Sequence, residues 1–234
     1  AYGYEIARSH DEDGERIKGE FTINDAEANI IRQIYREYVN GKSPRAIAID
    51  LNKRLIGAPS GKGWTHSTII GNRKRGTGIL NNELYLGRIT YNRQRFIKDP
   101  ETGKRRSRLN PEHEWVITDV PALRIIDDEI WNRAQQIKSR YASHHGNKRQ
   151  TTKRLLTGIV KCGCCGGAMT IISRERYYCS AKRERGTCDS TVGIKAAEIE
   201  ERVLTGLKDI LIGNEELIKT FADAFKAEVP RLRK

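Results

Sequence analysis

The sequence predicts an α+β fold in two parts: a helix-rich first part with a small β-sheet, then a linker and a short cysteine-bearing ribbon followed by a C-terminal helix. Three observations predict it. All five cysteines fall between Cys162 and Cys188, within the stretches KCGCCGGAM and YYCSAKRERGTC. Upstream, runs of apolar residues at helical spacing alternate with short strand-like runs. Between the two lies Ala142 to Arg154, ASHHGNKRQTTKR, with no acidic residue and no apolar anchor, which reads as a linker. The boundaries expected are 1–141, 142–154 and 155–234.

In chain order, Tyr2–Arg8 and Arg16–Phe21 flank an acidic turn at His10–Gly14 and predict a hairpin. Asn24 opens a helix with Glu27 placed for a capping box and Ala26, Ile30, Ile31, Ile34, Tyr35 and Tyr38 on one face. Gly41 ends it. Ser43-Pro44 supplies an N-cap and first helical residue for a second helix, with Ile47, Leu51 and Leu55 as its buried stripe. After a Gly/Pro/Ser-rich loop, Thr65 reads as the N-cap of a short helix that places His66, Ser67 and Thr68 in its first turn, Ile69 and Ile70 inward, and Asn72, Arg73, Lys74 and Arg75 at its far end.

Small hydrogen-bonding groups followed by cations suit base edges and phosphates, so this segment is the candidate recognition helix of a helix-turn-helix-like domain. The preceding loop is longer than a minimal helix-turn-helix allows, and an ordinary surface helix end is the competing reading. Strand-like segments at Arg88–Phe96 and Glu114–Val120 are expected to pair across a loop holding Lys104, Arg105, Arg106 and Arg108, which reads either as tracking phosphate or as a solvated basic loop. Asp127–Tyr141 predicts a helix with Ile130, Trp131, Ala134 and Ile137 inward, and both Trp131 and Trp115 read as core.

Cys162 and Cys165 form a C-x-x-C knuckle, and Cys179 and Cys188 supply a second pair, a set that suits one structural zinc ion in a closed tetrahedral sulfur shell. Cys164 is the spare. A disulfide reading is weaker, because the count is odd and no secretory segment is visible. His144 and His145 are read as solvated or facing phosphate rather than as metal ligands. Beyond Cys188, apolar residues from Ile199 to Phe225 predict an amphipathic helix interrupted near Gly213-Asn214 and closed by Pro230.

A formal charge of +13 implies a polyanionic partner. No apolar run is long enough to span a bilayer and no basic amphipathic helix dominates, so nucleic acid is favoured over a membrane. Lys148, Arg149, Lys153 and Arg154 of the linker and Arg174, Arg176, Lys182 and Arg183 of the ribbon join the candidate DNA contacts. Thirteen extended residues reach at most ~45 Å, more than the ~34 Å of one turn of B-DNA, so two modules can occupy successive grooves.

Five linked motifs carry a resemblance: SPRAIA, WT-x-STI, ILNN-x-x-Y-x-G-x-x-x-YNR at Ile79–Arg93, PAL-x-IIDDEIW at Pro121–Trp131, and LLTGIVKCG-x-CG. Together they resemble the DNA-binding half of a large serine recombinase, its recombinase domain followed by its zinc beta-ribbon domain, over about Tyr2–Lys208. The resemblance implies site-specific recombination of the phage-integrase or mobile-element type, with this part reading attachment-site arms in the cytoplasm of a bacterial or phage-infected cell. It also implies an upstream catalytic domain, with a serine that attacks a DNA phosphate, which has no counterpart in these residues; no serine here is expected to be catalytic. The C-terminal helix stands where the family would begin a coiled coil for self-association. Two other readings remain: a stand-alone DNA-binding regulator built from the same parts, and a ribosomal-type RNA-binding zinc-ribbon protein.

Overall fold

Burial of the helical stripes determines where the first core forms. The computed structural model of the chain describes residues 1–6, 19–144, 154–172 and 175–232. Contacts divide it into two units, Ala1–Arg149 with Glu184–Thr187, and Gln150–Arg183 with Cys188–Lys234.

In the first unit, β1 (Tyr4–Ile6) pairs antiparallel with β2 (Phe21–Ile23); the turn expected at residues 10–14 lies outside the described residues. Helix α1 (Asp25–Val39) starts at Asn24, whose side chain accepts from the Glu27 N–H. The capping box is only half formed, because the Glu27 carboxylate accepts from the Gly3 N–H at 2.6 Å and so ties the N-terminal segment to the helix. The buried stripe is Ala28, Ile31, Ile34, Tyr35 and Tyr38; Ala26 is exposed, since the capped start rotates it to the solvent side.

Helix α2 (Pro44–Lys53) has the expected Ser43 cap, and it buries Ile47, Ala48 and Leu51. Leu55 is 91% exposed rather than buried, because the helix ends two residues before it and Leu55 takes a left-handed conformation. Trp64 is fully buried where the next helix begins. Its backbone N–H donates to Asn52 Oδ1 at 2.7 Å, its carbonyl accepts from Asn52 Nδ2 at 2.9 Å, and its indole N–H donates to the Ile56 carbonyl at 3.0 Å. These bonds fix the twelve-residue approach to α3 (His66–Ile70).

Beyond two 3-10 turns (Ile79–Asn81 and Glu83–Leu86), β3 (Arg88–Tyr91) pairs antiparallel with β6 (Val116–Asp119). The expected single long pairing is broken into two. Residues 94–109 form a separate hairpin of β4 (Gln94–Lys98) and β5 (Arg105–Leu109), so the basic segment expected to be a loop is a strand. Asn92 in the left-handed region provides the break, and Asn110 clasps it by donating to the Asn92 carbonyl at 2.9 Å. Trp115 donates to the Asn110 carbonyl at 3.0 Å, and the Arg93 guanidinium lies 4.7 Å from its ring.

Helix α4 (Asp128–His144) closes this core with Ala134 buried and Trp131 stacked on Tyr35. Buried tyrosines link the pieces through backbone carbonyls: Tyr35 to Ile79 at 2.9 Å, Tyr85 to Tyr2 at 3.1 Å, and Tyr4 to Leu84 and Leu123 at 2.8 and 2.7 Å.

In the second unit, β7 (Met169–Ile172), β8 (Arg176–Cys179) and β9 (Ile194–Lys195) form an antiparallel sheet in that order. Its small core is Leu156, Cys162, Met169, Tyr177, Cys179, Cys188 and Ala196. Helix α5 (Ser180–Arg185) lies between the last two cysteines. Helices α6 (Ala196–Ile212) and α7 (Glu215–Leu232) follow, broken at Gly213-Asn214 as expected, although α7 runs past Pro230. Among the described residues no helix is long and apolar enough to cross a membrane.

Candidate functional site

Two arrangements gather the chemistry, one in each unit. In the second, the Sγ atoms of Cys162, Cys165, Cys179 and Cys188 all lie within 4.8 Å of one another, with 3.9 Å between Cys162 and Cys188 and 3.5 Å between Cys165 and Cys179. A tetrahedral zinc–thiolate centre with bonds of ~2.3 Å places its sulfurs ~3.8 Å apart, so the spacing and the donor set fit. The knuckle turns tightly because Gly166 adopts φ 66° and donates its N–H to the Cys162 carbonyl at 2.8 Å, while Cys162 donates to the Gly167 carbonyl at 2.8 Å.

Without the ion, backbone N–H groups of Cys165 and Cys164 pull the Cys162 thiol down to about 6. At Cys188 the Ser190 N–H acts in the same direction but is outweighed by burial and the neighbouring thiols, which push it up to about 12. Cys164 is exposed and stands outside the cluster. Four sulfurs leave no coordination position for a substrate, so the cluster fits a structural zinc that staples a core too small to hold alone.

In the first unit, α3 is a single turn. Thr65 caps it, with Oγ1 accepting from the Thr68 N–H at 3.1 Å and lying 2.9 and 2.8 Å from the Ser67 and Thr68 hydroxyls. Ser67 is exposed. His66 is half-buried and lines a cavity of about 250 Å³ with Tyr38, Pro44 and Ile137. The helix stops at Gly71, where a Cβ would overlap the Thr77 carbonyl.

Asn72, Arg73, Lys74 and Arg75 are therefore not the helix's far end. They form a tight turn closed by the Asn72–Thr77 bridge, at 3.0 and 3.2 Å, with Asn72 Oδ1 accepting from the Arg75 N–H at 3.2 Å. All four are exposed. Buried Asn81 pins the base of the turn by donating to the Ile70 and Thr77 carbonyls at 2.7 and 2.6 Å, and its Oδ1 accepts from Lys138 on α4. Burial, followed by the charge of Arg73, pushes the Lys138 amine down to about 8.

The other candidates are scattered. Arg105 and Arg106 lie on β5; the Arg105 guanidinium stacks over Phe96 at 4.1 Å, and Arg106 pairs with Asp99 at 2.6 Å. Arg154 pairs with Glu200 at 3.7 Å, Arg176 donates to the Gly193 carbonyl at 3.1 Å, Lys182 is exposed on α5, and Arg183 is half-buried beside it. Lys148, Arg149, Lys153 and Arg174 lie outside the described residues, as does His145. Residue-by-residue reading missed Asn81 and Lys138; the pattern ILNN contains Asn81 without revealing its partner on α4. It also missed Arg95 and Lys98, and it placed Arg108 in a basic loop where the chain forms a strand.

Residues 25–140 match the family described as Recombinase, and residues 155–208 match the Recombinase zinc beta ribbon domain. A protein of Bacillus subtilis (strain 168) named "Putative DNA recombinase" is 27% identical over 213 residues, which are 84% of this chain and 39% of that protein. The chain thus spans about two fifths of that relative's length. Two solved structures are similar, each at 20% identity. One, described as "Crystal Structure of a LSR-DNA Complex", matches 99% of this chain and 64% of its own with a TM-score of 0.36. The other, described as "Sequence Requirements of the Listeria innocua prophage attP site", matches 90% and 78% with a TM-score of 0.35. Two adjoining family domains, in the order the motifs predict and together covering residues 25–140 and 155–208, show that the chain belongs to the recombinase family, of which it carries the Recombinase domain and the recombinase zinc beta ribbon domain.

Proposed function

We propose that this chain is the DNA-recognition part of a longer serine site-specific recombinase, and that it binds duplex DNA at the arms of an attachment site. The observation that carries the reading is the basic turn Asn72–Arg75, exposed at its tip and tied at its base to Asn81. A turn held in this way presents three cations from a fixed backbone, so little backbone entropy is lost on contact with a phosphate backbone and base edges. Exposed Ser67 and half-buried His66 of α3 add polar groups for such contacts.

Two modules, 1–141 and 155–234, joined by the basic segment 142–154, then read one half-site in tandem. Lys148, Arg149, Lys153 and Arg154 follow the backbone between them, and Arg174, Arg176, Lys182 and Arg183 serve the ribbon. One structural zinc bound by Cys162, Cys165, Cys179 and Cys188 would hold the ribbon in shape. Cleavage and strand transfer belong to a serine-bearing domain elsewhere in the longer protein, which is bacterial or phage-encoded and works in the cytoplasm. The C-terminal helices support contacts between subunits.

Selection from randomised duplex DNA by the zinc-loaded chain, followed by footprinting, tests the proposal. An asymmetric two-part site of roughly 20 base pairs is expected. A short palindrome would instead indicate a dimeric regulator, and retention that depends on salt alone would refute sequence reading.

A further inference from the structure

The hairpin of β4 and β5 carries facing pairs of like charge, although Arg105 also lies over the Phe96 ring at 4.1 Å. Its register places Arg95 directly opposite Arg108 and Lys98 directly opposite Arg105. Like charges facing each other across an antiparallel pair destabilise it, and among the described residues this hairpin has no third strand to compensate. The side chains alternate, so one cation pair lies on each face of the ribbon, with Arg95 and Arg108 on one and Lys98 and Arg105 on the other. All four are exposed, and none has a carboxylate partner among the described residues. By contrast Arg106, on the same strand, is paired with Asp99.

We infer that the β4–β5 ribbon is a second DNA-reading element of the first unit and seats in the major groove of B-form DNA. This rests on the DNA-binding reading above and deepens it. The major groove, ~12 Å wide, admits a two-stranded ribbon, and its two walls are phosphate strands. Inside it both cation pairs meet phosphate at once, whereas a ribbon lying flat on the backbone leaves one pair unneutralised. The deep, narrow major groove of duplex RNA excludes such a ribbon.

The test compares the full zinc-loaded chain with Arg95→Gln/Arg108→Gln and with a charge-matched control, Arg36→Gln/Arg133→Gln, on the outer faces of α1 and α4. The probe is a duplex recovered by the wild-type chain from a randomised pool. The slope of log affinity against log salt should fall by roughly two units for the ribbon variant and by clearly less for the control. Protection of guanine N7, a major-groove atom, against dimethyl sulfate should disappear at one or more positions in the ribbon variant alone. Its melting temperature should stay level or rise, since the change removes a repulsion.

An unchanged slope and N7 pattern, with wild-type binding intact, would overturn the ribbon's role and leave the proposed function standing. An equal loss in the control, or equal ribbon-dependent binding to an RNA duplex of the same sequence, would overturn groove insertion. Failure of the wild-type chain to retain any duplex would remove both.

Discussion

The side-chain amide of Asn81 donates to the Thr77 carbonyl at 2.6 Å, and this bond holds the base of a turn whose tip is Arg73, Lys74 and Arg75. The same amide satisfies the Ile70 carbonyl at the end of α3 at 2.7 Å, so one 5%-exposed side chain joins a helix end, a basic turn and, through its oxygen, α4.

Asn81→Ala removes the side-chain donor to the Ile70 carbonyl and one of two donors to the Thr77 carbonyl, which keeps the Asn72 N–H. A loss of ~1–3 kcal/mol is expected in denaturant titrations, together with weaker duplex binding. Gly71→Ala should act on the same turn through backbone strain, since φ is 51° and a Cβ meets the Thr77 carbonyl. If either variant kept wild-type stability and affinity, the turn would not depend on this clamp.

The metal centre predicts different fates for neighbouring cysteines. Cys165→Ser should abolish stoichiometric zinc and unfold the second unit while the first retains its cooperative transition, whereas Cys164→Ser should keep one zinc per chain. Elemental analysis with limited proteolysis separates the two cases. Chelation of the wild-type chain should reproduce the Cys165→Ser pattern.

Alkaline pH tests the environment of Lys138. Its amine is depressed from 10.5 to about 8 in the folded chain, so the unfolded state binds more protons between those values. Stability from this group is therefore present above about 10.5, declines as pH falls, and is lost below about 8. Half-buried Tyr2 and buried Tyr35 act oppositely: burial, and the nearby Glu27 carboxylate, raise Tyr2 to about 12, and burial raises Tyr35 well above 10, so their contribution is intact below 10 and is lost as pH rises beyond it. The stability difference between wild type and Lys138→Met, measured from pH 7.5 to 10, should shift in favour of wild type as pH rises. A flat difference would mean that the amine is not desolvated.

Arg73→Ala/Arg75→Ala should weaken duplex binding and reduce the salt slope by up to about two units if both cations touch phosphate. A preserved slope would place the contact elsewhere.

The helices with strong caps and periodic stripes were readable one residue at a time, because Asn24, Ser43 and Thr65 each satisfy a backbone donor within their own turn. Misreadings occurred where a local pattern ended. Leu55 continued the α2 stripe on paper but lies beyond the last helical turn, and Ala26 lost its place to Ala28 once the cap set the helix phase. The basic segment near Arg105 looked like a loop because Arg-rich strands lack apolar alternation. Only pairing with β4 makes it a strand.

By itself the sequence determined the division into a helical part and a cysteine ribbon, the identity of the four clustered thiols and the basic character of the exposed segments, since spacing, capping and charge act over short chain distances. Tertiary structure alone decided that α3 is a single turn, that Asn81 and Lys138 fasten the basic turn from 57 residues apart, and that Arg95 faces Arg108. Each of these depends on which distant backbone groups are brought within hydrogen-bonding reach, and that is settled only when the core closes.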